Sequence, residues 1–152
     1  MTINNKIDLK NAFSKVLQQG LIQTSERIKS IIDSYLDSWY NDYSPVRYRR
    51  TKTFLNSCLI SELKQKGKEY FIDVYIDTKK LEASYQVSSS YVMGILNNAD
   101  QGIHGVESPQ VGNSDIRFWS NAIDDINYNK KAVILAGFIE YAKSQGIPIS
   151  LK

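Results

Sequence analysis

From Asp8 to Tyr40, apolar residues return every three or four positions: Leu9, Phe13, Val16, Leu17 and Leu21, then Ile28, Ile32, Tyr35, Leu36 and Trp39. Such steps lay one stripe along one face of a helix spanning about residues 8–40. Lys15, Gln18, Glu26, Arg27, Lys29, Asp33 and Asp37 fill the other, solvated face. Asp8 stands where an N-cap is expected. Gly20 and the polar run Gln23-Thr24-Ser25 mark where the helix would bend or divide. The stripe is expected to pack on the protein's own sheet, with enough length left for part of it to face a neighbouring subunit.

Further along, the period changes to two. The stretch from Thr53 reads as a helix start or a strand, and Asn56–Leu63 predicts a first strand. Lys66-Gly67-Lys68 supplies a turn, and Glu69–Asp77 a second strand, so a hairpin is expected over about 56–77. In the second strand Tyr70, Ile72, Val74 and Ile76 share one face, while Phe71, Asp73 and Tyr75 share the other. Aromatic residues on both faces predict that both are at least partly covered. Thr78–Ser90 has no clear period and only Leu81, Tyr85 and Val87 as anchors. Tyr91–Ala99 predicts a short helix. Residues 100–114 then form the longest loop, with Gly102, Gly105, Pro109 and Gly112, and loops of that length in small domains are usually functional or mobile. Ile116-Arg-Phe-Trp119 ends it with an apolar anchor. A last helix is expected over about 130–144, carrying Val133, Ile134, Leu135, Phe138, Ile139 and Tyr141, before a stop and a short terminal strand at Gly146-Ile-Pro-Ile. The expected fold is a single α+β domain, residues 1–152. A long N-terminal amphipathic helix packs on a small, mostly antiparallel sheet, with a further C-terminal helix.

Composition narrows the class. A chain of 152 residues with 42% hydrophobic residues can bury a core and is not a disordered sequence. No apolar run approaches the ~20 residues of a membrane span, and residues 1–10 lack the apolar stretch of a signal peptide. The single Cys58 excludes an internal disulfide and suits a reducing compartment. Net charge is +3, with the excess in residues 1–76, which hold twelve Lys/Arg against eight Asp/Glu. That permits an acidic partner or nucleic acid without requiring one.

Little in the chain points to catalysis. His104 is the only histidine, so with one cysteine no ordinary zinc site can be completed. Cys58 sits in an apolar strand, where a small buried thiol is the ordinary reading. The acid pairs, Asp124-Asp125 and Asp73 with Asp77, fit solvated faces and helix caps more simply than a hydrolytic dyad. The glycines form no nucleotide-binding pattern, and no cofactor or metal is implied. The richest segment is the elbow, residues 41–52, which follows the long helix. It gathers Tyr43 and Tyr48 with Arg47, Arg49, Arg50 and Lys52 around Pro45. A solvated bend and a binding patch are both open readings of it. Tyr and Arg are the residue types that dominate interface hot spots.

The elbow also carries a resemblance. Tyr43, Ser44, Pro45, Tyr48, Arg50, Thr51, Leu55, Asn56 and Ser57, followed by Gly102, His104, Gly105, Phe118 and Trp119, look like the pattern of small virion proteins of tailed bacteriophages. Those are the head–tail joining, neck and tail-completion proteins. The likeness covers most of residues 30–150 and departs in lacking a proline-rich loop after the second strand. It implies an α+β subunit without enzymatic activity that assembles as a homo-oligomeric ring in the virion, built in the host cytoplasm. It would touch neighbouring connector or tail-tube subunits and lie close to packaged DNA, with no membrane partner. Tyr43, Arg47, Tyr48, Arg49, Arg50 and Lys52 of the elbow, and Gly102, His104, Gly105, Val106 and Val111 of the loop, are the candidate partner-binding residues. A nucleic-acid-binding accessory protein using the elbow is the alternative. A small enzyme or toxin-like domain using His104 with a nearby acid is the third reading. Flanking portal, capsid or tail-tube genes would separate them.

Overall fold

The structure, a computed structural model, describes residues 6–41, 52–85, 118–147 and 149. The expected α+β architecture is present. Helix α1 runs Lys6–Asn41. Four short strands follow, β1 Cys58–Ile60, β2 Lys64–Lys66, β3 Glu69–Phe71 and β4 Val74–Ile76. Then come α2 Thr78–Tyr85, α3 Phe118–Asp124, a π-turn Asp125–Asn129 and α4 Lys131–Ser144.

Helix α1 is continuous, without the expected break. Its 36 residues span about 54 Å at 1.5 Å each. The residues that suggested a break serve the helix instead. Thr24 Oγ1 donates to the Gly20 carbonyl at 2.7 Å and Ser25 Oγ to that of Ile22 at 2.8 Å, so their polar groups are satisfied within the helix. Asp8 lies inside the first turn rather than ahead of it. There its charge still opposes the helix dipole.

The two halves of α1 cover different things. The C-terminal half packs on the sheet as expected. Ile32 and Leu36 are fully buried in a core with Phe54, Cys58, Leu81 and Ala122, flanked by Val74, Ile76, Trp119 and Ile126. The N-terminal half packs on α4, burying Ala12, Val16, Ile134 and Ala142. Phe13, assigned to the inward stripe by its spacing, is instead exposed, and Ala12 takes the inward place.

Gly20 explains the α1–α4 approach. A Cβ there would lie 2.1 Å from the Phe138 ring, so the aromatic side chain of α4 sits directly on the α1 backbone. The reverse contact lies further along. Gly137 of α4 leaves room for the Arg27 guanidinium, 2.5 Å from where a Cβ would stand. Arg27 Nη1 donates to the Val133 carbonyl at 2.7 Å, and its other amino group lies 3.5 Å from Glu140. The Glu140 pair is exposed and adds little. Helix α4 then ends in a Schellman motif. Gly146 takes φ +77°, its N–H bonds the Lys143 carbonyl, and the Ile147 N–H bonds that of Ala142. The expected terminal strand is not formed at Ile149; Pro148 and residues 150–152 lie outside the described residues.

The hairpin departs from the expected pair of unbroken strands. β1 pairs antiparallel with β4, Cys58 opposite Ile76 and Ile60 opposite Val74. β2 pairs antiparallel with β3, Lys64 opposite Phe71 and Lys66 opposite Glu69. Ser61 continues the first ladder: its N–H bonds the Asp73 carbonyl at 2.8 Å and its Oγ accepts the Asp73 N–H at 2.9 Å. Glu62 and Leu63 therefore stand opposite the single Ile72, which makes a β-bulge. Without it Lys64 and Lys66 would share the inward face of Cys58 and Ile60; the extra residue turns them outward. Alternation along 69–76 holds as read, with Tyr70, Ile72, Val74 and Ile76 half-buried. The opposite face is partly covered, as expected, but more open, with Phe71 and Tyr75 38% and 42% exposed.

Asp77 ends β4 and caps α2, its Oδ1 accepting the Lys80 N–H at 3.0 Å. That cap starts the helix the sequence left without a period, and Leu81 anchors it in the core. The predicted Tyr91–Ala99 helix and the 100–114 loop lie outside the described residues.

Gly20→Ala should destabilise the protein. Helix propensity alone favours Ala by about 1 kcal/mol, but overpacking against Phe138 should cost about 1–3 kcal/mol. Denaturant unfolding of Gly20→Ala in wild-type and Phe138→Leu backgrounds checks this. The penalty should shrink in the second background; an equal penalty in both would refute the contact.

Candidate interaction surface

Of the candidate partner-binding residues, Tyr43, Arg47, Tyr48, Arg49, Arg50, Gly102, His104, Gly105, Val106 and Val111 lie outside the described residues. Lys52 is described, and it is exposed. It is the one described non-glycine residue with a positive φ, +58°. An L-residue in this left-handed region costs about 1–2 kcal/mol, and the following turn holds it there. The Lys52 carbonyl accepts both the Asn56 N–H at 3.3 Å and Asn56 Nδ2 at 3.0 Å. Ser57, completely buried, donates Oγ to the Phe54 carbonyl at 2.6 Å. Phe54 and Leu55 enter the core. Leu55, Asn56 and Ser57, part of the sequence resemblance, thus fasten the end of the elbow to β1.

Cys58 is poorly suited to nucleophilic work. It is 1% exposed under Ile32 and Leu36. Burial first, and the Asp33 carboxylate second, push its thiol up to about 11, against a smaller opposing effect of Lys29. A thiol that keeps its proton is a weak nucleophile.

An open cleft of about 320 Å³ lies where α1 emerges beyond the start of α4. Ser30, Ser34 and Ser38 line one wall, and Tyr35, Asp125 and Lys130 the other parts. Burial, then the charge of the neighbouring Asp125 carboxylate, hold the Tyr35 hydroxyl above its usual range. The π-turn is closed by the Lys130 N–H to Asp125 carbonyl bond at 2.6 Å. Ser34 Oγ donates to its own helix, to the Ile31 carbonyl at 2.7 Å. The lining pairs no serine with a basic partner that would activate it. Among the described residues no group of His, Cys, Asp and Glu could hold a metal ion, and no helix is long and apolar enough to cross a membrane.

The outward face of the hairpin is a further surface beside the elbow and the loop. Lys64 and Lys66 form one row, and Glu69, Phe71, Asp73 and Tyr75 the next. Lys64 Nζ bonds Asp73 at 2.7 Å and stands 5.8 Å from the centre of the Phe71 ring. The β2–β3 turn is the two-residue Gly67-Lys68, with φ +63° at Gly67 and no positive φ at Lys68. Gly is favoured there because this first central position of a type II′ turn lies in the left-handed region. The signal was present in the alternation of residues 69–76. Its meaning depended on the bulge, which the sequence does not display.

The sequence model of the YomN family matches residues 2–138, from before α1 to Phe138 in α4. The chain belongs to the YomN family. This is a phage-like family of Bacillus proteins, and the protein is phage-associated. No curated protein and no solved structure gives a match.

The Cys58 shift has a consequence with a definite sign. The unfolded thiol ionises near 9.0 and the folded one near 11. Between those values the unfolded chain releases a proton that the folded chain keeps, so stability falls as pH rises through this window. Melting of Cys58→Ala followed from pH 8 to 11 should show a shallower fall than wild type. Its melting temperature at neutral pH should be lower, because a buried side chain is truncated. Parallel curves for the two proteins would place the alkaline loss elsewhere.

Proposed function

We propose that this protein is a structural virion-assembly subunit of a tailed phage, forming a homo-oligomeric ring at the head–tail junction as a neck or tail-completion protein. The family supports the phage association. The observation that carries the assembly role is the hairpin: a face with Phe71 and Tyr75 exposed, attached to a core built from α1 and the turn at Lys52–Ser57. A closed ring needs a heterologous interface, one patch meeting a different patch on the next copy. A hairpin with two unlike edges provides that.

In this reading the protein acts by contact, not catalysis. The elbow, Arg47 to Lys52, and the loop around His104 supply contacts to connector or tail-tube subunits, with packaged DNA close by. The hairpin itself suits a protein surface better than a phosphate backbone. From Glu62 to Asp73, Lys64, Lys66 and Lys68 are matched by Glu62, Glu69 and Asp73. A dedicated nucleic-acid surface gathers uncompensated positive charge instead.

Deleting the gene from the phage that encodes it should yield DNA-filled heads and separate tails. Purified protein added to that lysate should restore infectious particles containing it. A normal yield of infectious particles from the deletion would overturn the assignment.

A further inference from the structure

The two edges of the β2–β3 hairpin are unlike, and the hairpin's own register shows how they could meet. A two-residue loop makes Lys66 and Glu69 the hydrogen-bonded pair that closes the turn. Antiparallel pairs alternate, so Gln65 and Tyr70 form the next, non-hydrogen-bonded pair. Their backbone N–H and C=O groups therefore point away from each other, Gln65 out of the β2 edge and Tyr70 out of the β3 edge. Among the described residues β2 and β3 pair only with one another. Each edge thus presents one outward donor and one outward acceptor to a further strand.

The side chains on the two edges are complementary in charge. The β2 edge shows Lys64 and Lys66, and the β3 edge Glu69 and Phe71, all on the outward face and all exposed. Lysine on an edge strand ordinarily discourages sheet addition. An edge that offers a carboxylate and an aromatic ring is the exception, because it meets both lysines favourably.

We propose that the partner of this hairpin is a second copy of the chain: the β3 edge of one subunit pairs antiparallel with the β2 edge of the next. The inference rests on the ring reading above and names its interface. Gln65 of one copy exchanges both backbone bonds with Tyr70 of its neighbour. Lys66 then stands opposite Glu69 and Lys64 opposite Phe71, which repeats between copies the register found within each hairpin. Non-hydrogen-bonded pairs bring side chains closest, so the charge and cation–π contacts fall where they are strongest. The contact is head to tail and leaves one edge of each kind free at every step, so it propagates until a ring closes. Three-residue strands bury little area. A single contact is therefore weak, and closure of the ring makes the assembly persist.

Gln65→Pro tests this directly. It removes the outward N–H and leaves the hairpin's inward bonds intact, and proline is tolerated on an edge strand whose N–H faces out. Sedimentation velocity should show the variant assembling at a concentration at least about tenfold higher than wild type, the effect of losing about 1.4 kcal/mol of contact energy. Its melting temperature as a monomer should be close to wild type. Charge variants provide a second measurement that does not depend on proline. Lys66→Glu and Glu69→Lys should each fail to assemble alone, and an equimolar mixture should assemble, because each variant supplies the edge that the other needs. Assembly of Gln65→Pro at the wild-type concentration would overturn the strand pairing. So would a mixture no better than its components, while particle incorporation would leave the ring reading standing. A wild-type protein that stays monomeric at all concentrations and is absent from particles would remove both.

Discussion

The close approach of α1 and α4 is the constraint on which the rest of the structure depends. Two glycines, one on each helix, admit a large side chain from the other: Phe138 onto Gly20, and Arg27 onto Gly137. Gly in a helix interior is unfavourable by about 1 kcal/mol relative to Ala, so this arrangement is justified only by what it packs. It pins α4 along the N-terminal half of α1. That leaves the C-terminal half of α1 free to serve as one wall of the sheet core, where Ile32 and Leu36 meet Phe54, Cys58 and Leu81. The helix thus works as a spine with two unrelated cores, joined by its own continuity.

The polar connections follow from the same arrangement. Tyr35 lies beside Asp125 in the cleft, and the π-turn from Asp125 to Asn129 redirects the chain from α3 into α4. The buried serines of the framework are satisfied locally. Ser25 bonds Ile22 and Ser57 bonds Phe54, so neither leaves an unpaired hydroxyl in the interior. The hairpin is attached to this framework at β1 and β4 and projects beyond it through β2 and β3.

Much of this was legible in the chain. The three- and four-residue steps found α1 and α4 within two residues of their ends, because burial on one face imposes that period. Alternation along Glu69–Asp77 correctly separated the half-buried Tyr70, Ile72, Val74 and Ile76 from Phe71, Asp73 and Tyr75. The failures have physical causes. Gly20 reads as a breaker when its neighbours in space are unknown, whereas opposite Phe138 it is a socket. Helix α2 has too few apolar residues to show a period; its start is set by the Asp77 cap. The bulge at Glu62-Leu63 cannot be seen in either strand alone, since it is a property of their pairing. Of the candidate site, Lys52 proved to be a backbone feature as well as a charge.

The bulge also bears on how this hairpin can change over evolutionary time. Register on the proximal side is fixed by Cys58, Ile60, Val74 and Ile76, whose packing tolerates no slip. The distal side beyond Ile72 meets the rest of the molecule through far fewer buried groups, and the extra residue uncouples its parity from the core. A change in tip length by equal numbers of residues on both strands would keep the core register, but a shortening would also remove the edges at Gln65 and Tyr70. Such insertions and deletions would vary the outer margin of the subunit while the inner ladder stayed untouched.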